Sequence, residues 1–128
     1  MWIAKKILST VVALPAILFV VMGLRWLVNP GGIAPELGLT IESGVGLSTQ
    51  IGDLSAFFLT IGLCILTALV TGRRTWFYPP IVLLLITAVG RIVAWLVHDA
   101  ALALSLIAPE IVIAMLLLVA AKILPEKD

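Results

Sequence analysis

The chain has only one cysteine, one histidine and one tyrosine in 128 residues, and 12% of its residues are charged. The lone Cys64 excludes an intramolecular disulfide framework and leaves the redox compartment undefined. One histidine cannot make an ordinary haem or di-metal site, and no Ser/His/Asp or metal-ligand spacing occurs. No metal site is therefore expected, and catalytic residues and cofactors stay unassigned. The chain also has too few basic residues to form a nucleic-acid-binding surface.

What the chain has in abundance is apolar surface, with 62% hydrophobic residues and a mean hydropathy of +1.26. A soluble chain this short could not bury so much of it, so lipid must be the solvent. The composition predicts a single all-α domain, an integral membrane four-helix bundle over residues 1–128. Its four predicted spans cover about 7–28, 51–70, 81–97 and 101–123.

The first apolar run follows two lysines, as a secretory signal peptide would. Because Ile7–Val28 is long enough to span a bilayer, we predict an uncleaved helix. Arg25 and Trp26 close the run and are expected to anchor it at the membrane interface. The Gly-rich segment 29–50 then forms a long outer loop, which is either a partly ordered lid or a plain connector.

Small residues recur at every fourth position along the second span. Such rows let helix backbones approach closely in lipid, so we predict helix–helix contact here, with a second copy or a partner membrane subunit as alternatives. The row contains Ser48, Gly52, Ala56, Thr60, Cys64 and Ala68.

Basic residues concentrate at one side of the predicted four-span topology. Lys and Arg in short loops favour the cytoplasmic side, so both termini are predicted to be cytoplasmic, in a bacterial inner membrane. The other half then holds every intramembrane carboxylate. The basic residues are Lys5, Lys6, Arg73, Arg74, Lys122 and Lys127.

Arg91 lies about two turns inside the third span. Placing a guanidinium there costs roughly 2.5–3.5 kcal/mol on insertion scales, so it needs a partner or a wet pocket. Asp53 and Glu110 are the carboxylates within reach. At about 1.5 Å per residue, Arg91 is expected roughly 9–10 Å deep, Glu110 roughly 12–14 Å and Asp53 only a few Å.

Other polar residues accompany this arginine. Trp95 and His98 share a helix face with it at i+4 and i+7, and Asp99 is placed to cap the fourth helix. Pro109 deprives a carbonyl of its usual donor beside Glu110, as is typical of positions that line a cavity. The predicted polar cluster comprises Arg91, Glu110, Asp53, His98, Asp99 and Trp95.

With these residues, and in particular Gly90-Arg91 … His98-Asp99 … Glu110, the chain resembles small bacterial four-helix integral-membrane proteins of unknown function. Their plan is loosely similar to that of the DoxX-like membrane proteins. The resemblance implies four spans and importance for the Arg, Asp and Glu positions. DoxX-like proteins are linked to redox and sulfur chemistry, but their motifs do not occur here, so no activity is carried over.

Three functions are compatible with this pattern. The first is a pocket that binds or converts a lipid-like or small anionic molecule on the non-cytoplasmic side. The second is an accessory or assembly subunit with no chemistry of its own, working through the small-residue row. The third is a proton- or ion-coupled carrier, because intramembrane carboxylates serve as proton relays. Whether the chain is an enzyme is left open.

Overall fold

The computed structural model describes residues 1–126, and this part of the chain is all-α. Asp128 and Lys127, one of the basic residues used for the predicted orientation, lie outside the described residues. Short 3-10 turns occur at Ala34–Leu37 and Arg74–Phe77. The α-helices are α1 (Trp2–Val28), α2 (Pro30–Ile33), α3 (Gly44–Thr71), α4 (Tyr78–Val97) and α5 (Leu104–Ile123).

Within residues 1–126, four helices are long and apolar enough to cross a membrane, and α2 is not one of them. The chain is therefore a multi-pass membrane protein. All four predicted starts were wrong. α1 begins at Trp2 rather than near 7, α3 at Gly44 rather than near 51, α4 at Tyr78 rather than near 81 and α5 at Leu104 rather than near 101. At 28 residues α3 is about 42 Å long, more than the roughly 30 Å of a bilayer's hydrocarbon core.

The four long helices form a ring in chain order. α1 packs on α3, α3 on α4 and α4 on α5, and α5 closes the ring against α1. Short connections between antiparallel neighbours are typical of such up-and-down bundles. The start of α1 and the end of α5 thus lie at one end of the bundle, which we call the basic end because it carries Lys5, Lys6 and Lys122.

Two glycines set the distance between α1 and α3, the most extensive helix pair. A Cβ added at Gly62 would come within 2.7 Å of the carbonyl oxygen of Ala16. A Cβ added at Gly23 would come within 2.5 Å of Cγ of Leu59. The two backbones approach more closely than any larger residue would allow, as expected where van der Waals packing drives association.

The predicted small-residue row is not this contact. Ser48, Gly52, Ala56 and Thr60 are exposed, Cys64 is partly buried, and only Ala68 belongs to the core. A Cβ at Gly52 would meet nothing within 4 Å. Within the described chain α3 packs through a different face, and most of the row is left for lipid or for another molecule.

Buried apolar side chains from all four long helices fill the centre of the bundle. Trp26 is among them and is completely buried, with its Nε1 donor unpaired in the described part of the chain. The expectation that Trp26 anchors the chain at the lipid interface was therefore wrong, since its ring lies inside the protein. Other fully buried members are Val12, Ile33, Ile61, Ile65, Phe77, Leu84 and Leu117.

The turn between α3 and α4 is tied to the end of α5. Gly72 takes the left-handed conformation (φ 67°) and its N–H bonds the carbonyl of Ala68, which ends α3. Nε of Arg74 donates to the carbonyl of Ala121 at 2.7 Å, and the backbone N–H of Glu126 donates to the carbonyl of Gly72. These bonds hold the connection between α3 and α4 against the end of α5 and the residues that follow it.

The outer loop is shorter than predicted, residues 29–43, and it is built of α2, a 3-10 turn and an extended tail. Ile33 and Ala34 are completely buried, so the loop is part of the core and not a loose connector. Gln50 fastens its far end, accepting from the N–H of Glu42 and donating to the carbonyl of Thr40, each at 2.9 Å. The segment is therefore ordered, and its action as a lid stays a prediction.

Candidate functional site

Arg91 and Glu110 form an ion pair between α4 and α5. Nε of Arg91 donates to both carboxylate oxygens of Glu110, at 3.0 and 3.2 Å. The side chain of Arg91 is 30% exposed and that of Glu110 is 13% exposed. Only Nε is used, because the two Nη groups of Arg91 make no hydrogen bond to any residue in the described part of the chain. Of the five N–H donors of the guanidinium, the four on the Nη groups therefore have no partner in the described part of the chain.

The helix ends explain why these two residues meet. Arg91 lies six positions before Val97, the last residue of α4, and Glu110 lies six positions after Leu104, the first residue of α5. Both are therefore about 9 Å from the helix ends beside the outer loop. The greater depth predicted for Glu110 was wrong because α5 begins later than expected. Asp53, nine positions after Gly44, lies further along its helix than predicted.

Two adjoining cavities border the free side of Arg91. The larger, about 430 Å³, reaches Asp53 and Thr87. The smaller, about 190 Å³, reaches Glu110 and Pro109, where α5 runs on through its proline. Leu37, Phe57, Phe58 and Arg91 line both, so the two spaces share one wall.

The cavity walls are mostly apolar. The rings of Phe19 and Phe58 stack with centroids 6.0 Å apart, and Phe57 meets Phe58 edge-on at 5.1 Å. The hydroxyl of Thr87 donates to the carbonyl of Leu83 at 2.7 Å, so it can only accept from a ligand. The cavities thus combine the Arg91 guanidinium with aromatic and aliphatic walls.

The outer loop supplies part of these walls through Leu37 and Leu39. Arg25 holds the loop in place, since its Nη2 donates to the carbonyl of Gly32 at 3.0 Å and pairs with the carboxylate of Glu36. This pair holds the pKa of the Glu36 carboxyl below its usual range. Arg25 is thus an anchor for the loop more than for the membrane interface.

Asp53 lines the larger cavity together with Arg91, but its side chain is exposed and no ion pair joins the two in the described residues. Of the two carboxylates proposed as partners, Glu110 is the one that binds Arg91. Asp53 therefore brings a second negative charge to the cavity, close to its exposed side.

Three members of the predicted cluster lie elsewhere. Trp95, His98 and Asp99 are exposed and border neither cavity around Arg91. α4 ends at Val97, so His98 and Asp99 belong to the non-helical connection 98–103 and only Trp95 lies on the helix. Asp99 does not cap α5: its φ of 58° ends α4, and the N-cap of α5 is Ala103, with no side-chain hydrogen bond.

Sequence reasoning missed most of the cavity wall. Thr87 precedes Arg91 by four positions and so lies on the same helix face, a signal that was present in the pattern. Phe57 and Phe58 follow Asp53 by about one helical turn, so the sequence carried a similar signal for them. Leu37 and Leu39 carry no such signal, because only tertiary folding brings the loop over the bundle.

The described residues 1–126 bring no three His, Cys, Asp or Glu side chains together in a way that could hold a metal ion. The cavities instead combine one cation, two carboxylates and apolar walls. The chain matches no family model, no curated protein and no solved structure.

Proposed function

We propose that the protein binds a lipid-like molecule with an anionic or strongly accepting head group, and that the head lies against the free Nη groups of Arg91. The observation that carries this proposal is the Arg91 guanidinium, which uses one of its five N–H donors within the described chain. It is paired through Nε alone and borders two cavities with apolar walls. A charged donor left without acceptors at this depth is costly, and a ligand oxygen would offset that cost.

The arrangement of polar and apolar groups in the cavities supports an amphiphilic ligand over a small hydrophilic anion. The polar groups of the cavities stand at Arg91, Glu110 and Asp53, while Phe19, Met22 and Leu54 are among their apolar wall. An acyl chain would bury against that wall, at about 25 cal/mol per Å² of apolar area removed from water. A small hydrated anion would gain the guanidinium contact only.

The site lies in the half of the bundle away from the basic end, near the outer loop. If Lys and Arg set the orientation in the usual way, the basic end is cytoplasmic and the cavities belong to the non-cytoplasmic half. We propose a bacterial inner membrane as the setting, with a ligand that enters from the outer leaflet or the periplasm.

The test is a binding experiment with a matched pair of ligands, oleate and oleyl alcohol, which share a chain and differ in charge. The purified full chain is titrated with each in detergent, and the rise in melting temperature is measured. Oleate should stabilise the wild type more strongly than oleyl alcohol. Arg91→Lys should lose that difference while keeping the unliganded melting temperature, because ammonium is a compact point charge without a planar fork.

His98→Gln is the matched control, since His98 directly follows the same helix, is exposed and borders neither cavity. It should bind oleate as the wild type does. Equal stabilisation by both ligands in the wild type would contradict the proposal. A loss of oleate binding in His98→Gln as large as in Arg91→Lys would contradict it as well.

A second function is favoured by the exposed small-residue row, which leaves Gly52, Ala56 and Thr60 without a partner inside the described chain. The protein would then be an accessory subunit that contacts a second copy or a larger membrane protein through α3. Sedimentation of the purified chain in detergent distinguishes this function: a dimer that Ala56→Leu dissociates supports it, and a monomer contradicts self-association.

A further inference from the structure

A second groove lies at the basic end, far from Arg91, between the start of α4 and the end of α5. Its volume is about 640 Å³. Its polar lining comes from Arg74, Tyr78 and Lys122, and its apolar lining includes Met115, Leu118 and Val119. None of these residues borders the cavities at Arg91.

The cationic part of the groove is fixed in place. Nε of Arg74 donates to the carbonyl of Ala121 at 2.7 Å, which holds the side chain across the end of α5. Lys122 follows directly in the last turn of α5, and Tyr78 opens α4 on the other side with about half of its surface exposed. Two cationic side chains and a phenol thus border one concave surface.

The apolar part extends away from these charges toward the middle of the bundle. Met115 precedes Lys122 by seven residues on the same helix, which corresponds to about 10 Å along its axis. Met115, Leu118 and Val119 are all exposed on the outside of the protein. The groove therefore has a positive end at head-group level and an apolar end in the hydrocarbon region.

We propose that this groove is a binding site for an anionic glycerophospholipid of the leaflet at the basic end. The phosphate would lie against Lys122, with Arg74 as a second positive charge nearby and Tyr78 as a further donor, and one acyl chain would lie along Met115 and Val119. Basic pockets between membrane helices recognise anionic head groups in this way. The orientation of the groove, charge at one end and apolar wall at the other, matches an amphiphile lying along the bilayer normal.

The basic end offers a comparison surface. Lys6 borders a smaller recess of about 260 Å³ with Ile7, Thr10 and Val11. Its Nζ lies 4.1 Å from the ring centroid of Trp2, so this cation already has an aromatic partner. Lys6 thus provides a charge at the same end of the bundle but outside the proposed site.

Native mass spectrometry of the purified full chain tests the site, with phosphatidylglycerol as the anionic probe and phosphatidylcholine as the zwitterionic one. The wild type should bind the first phosphatidylglycerol more tightly than the first phosphatidylcholine. Lys122→Gln should weaken phosphatidylglycerol binding about fivefold, the equivalent of ~1 kcal/mol for one cation near an anionic surface. Lys6→Gln should leave it unchanged. Arg74 is kept intact because it also holds α5.

A second variant tests the apolar half without changing any charge. Val119→Trp fills the groove and should lower the occupancy of both lipids. Val119 and Lys122 are exposed, so melting curves without added lipid should match the wild type. Glycerol 3-phosphate, a head group without chains, should not compete with phosphatidylglycerol.

Three results would overturn the proposal. The first is equal affinity of the wild type for the two lipids. The second is an equal loss in Lys122→Gln and Lys6→Gln, which would show diffuse attraction by the whole basic end. The third is efficient competition by glycerol 3-phosphate, which would make the site one for a free phosphate ester. None of these results bears on the cavities at Arg91, whose ligand and variants are different.

Discussion

Arg91 and Glu110 lie six residues inside the helix ends nearest the outer loop, and Nε of Arg91 reaches both carboxylate oxygens of Glu110. The pair joins two helices and leaves the Nη groups of Arg91, a residue that lines both cavities, without a partner in the described part of the chain. One interaction thus has a structural part, through Nε, and a proposed binding part, through Nη. The two parts can be separated by mutation.

The structural part predicts strong coupling in a double-mutant cycle. Arg91→Leu leaves the Glu110 carboxylate unpaired and should cost about 3 kcal/mol of stability, while Arg91→Leu combined with Glu110→Gln should be close to neutral. Unfolding in denaturant of all four proteins, measured in the same detergent, gives the coupling energy. Additive effects would show that the two groups do not interact.

Removing the charge of Asp53 is expected to strengthen the binding of an anionic ligand, whereas changing Arg91 is expected to weaken it. The Asp53 carboxylate lines the same cavity as Arg91 and should repel an anionic head group. Asp53→Asn should therefore strengthen oleate binding a few-fold and leave oleyl alcohol binding unchanged. Titration of both ligands by melting temperature checks this. Weaker oleate binding in Asp53→Asn would mean that the carboxylate assists the ligand.

Gly62 and Gly52 form a matched pair on α3. A Cβ at Gly62 would lie 2.6 Å from Cγ2 of Val20, whereas a Cβ at Gly52 would meet nothing within 4 Å. Gly62→Ala should lower stability by about 1–3 kcal/mol through forced separation of α1 and α3. Gly52→Ala should be neutral or slightly stabilising. Melting temperatures of the two variants decide the matter, and equal effects would contradict the packing described here.

The Arg25–Glu36 pair leads us to expect that the mobility of the outer loop depends on pH. Because pairing with Arg25 lowers the pKa of this carboxyl, its stabilising effect is complete above the ordinary value of about 4.3. That effect is lost as the pH falls through the lowered pKa. A spin label at Thr40→Cys, in a Cys64→Ser background, should gain mobility on acidification. With Glu36→Gln added, the label should be mobile at both pH values, and an unchanged pH response would contradict the role of Glu36.

The orientation is tested by labelling with an impermeant thiol reagent in intact cells. Ile3→Cys and Thr40→Cys, each in the Cys64→Ser background, place an exposed thiol at opposite ends of the bundle. Cytoplasmic termini require that position 40 reacts and position 3 reacts only after lysis. The reverse pattern would place the cavities at Arg91 in the cytoplasmic half.

Much of the architecture was determined by the sequence alone. Apolar runs of about 20 residues cannot fold in water at this chain length, so four membrane helices were readable from hydropathy. A guanidinium two turns inside such a run must have a partner. The sequence therefore predicted that Arg91 pairs with Asp53 or Glu110. These inferences depend on local composition and on solvation energies, and neither needs knowledge of the fold.

Tertiary structure decided which groups meet. Helix register, set by the starts of α3 and α5, made Glu110 the partner of Arg91 and left Asp53 in the cavity without an ion pair. Trp95 lies on the same helix as Arg91, but α4 ends before His98, and neither side chain borders the cavities. Trp26 was read as an interfacial residue from its neighbour Arg25, yet it is completely buried in the core of the bundle. The sequence pattern indicates which face of a helix a residue lies on. Whether that residue is buried depends on what packs against that face.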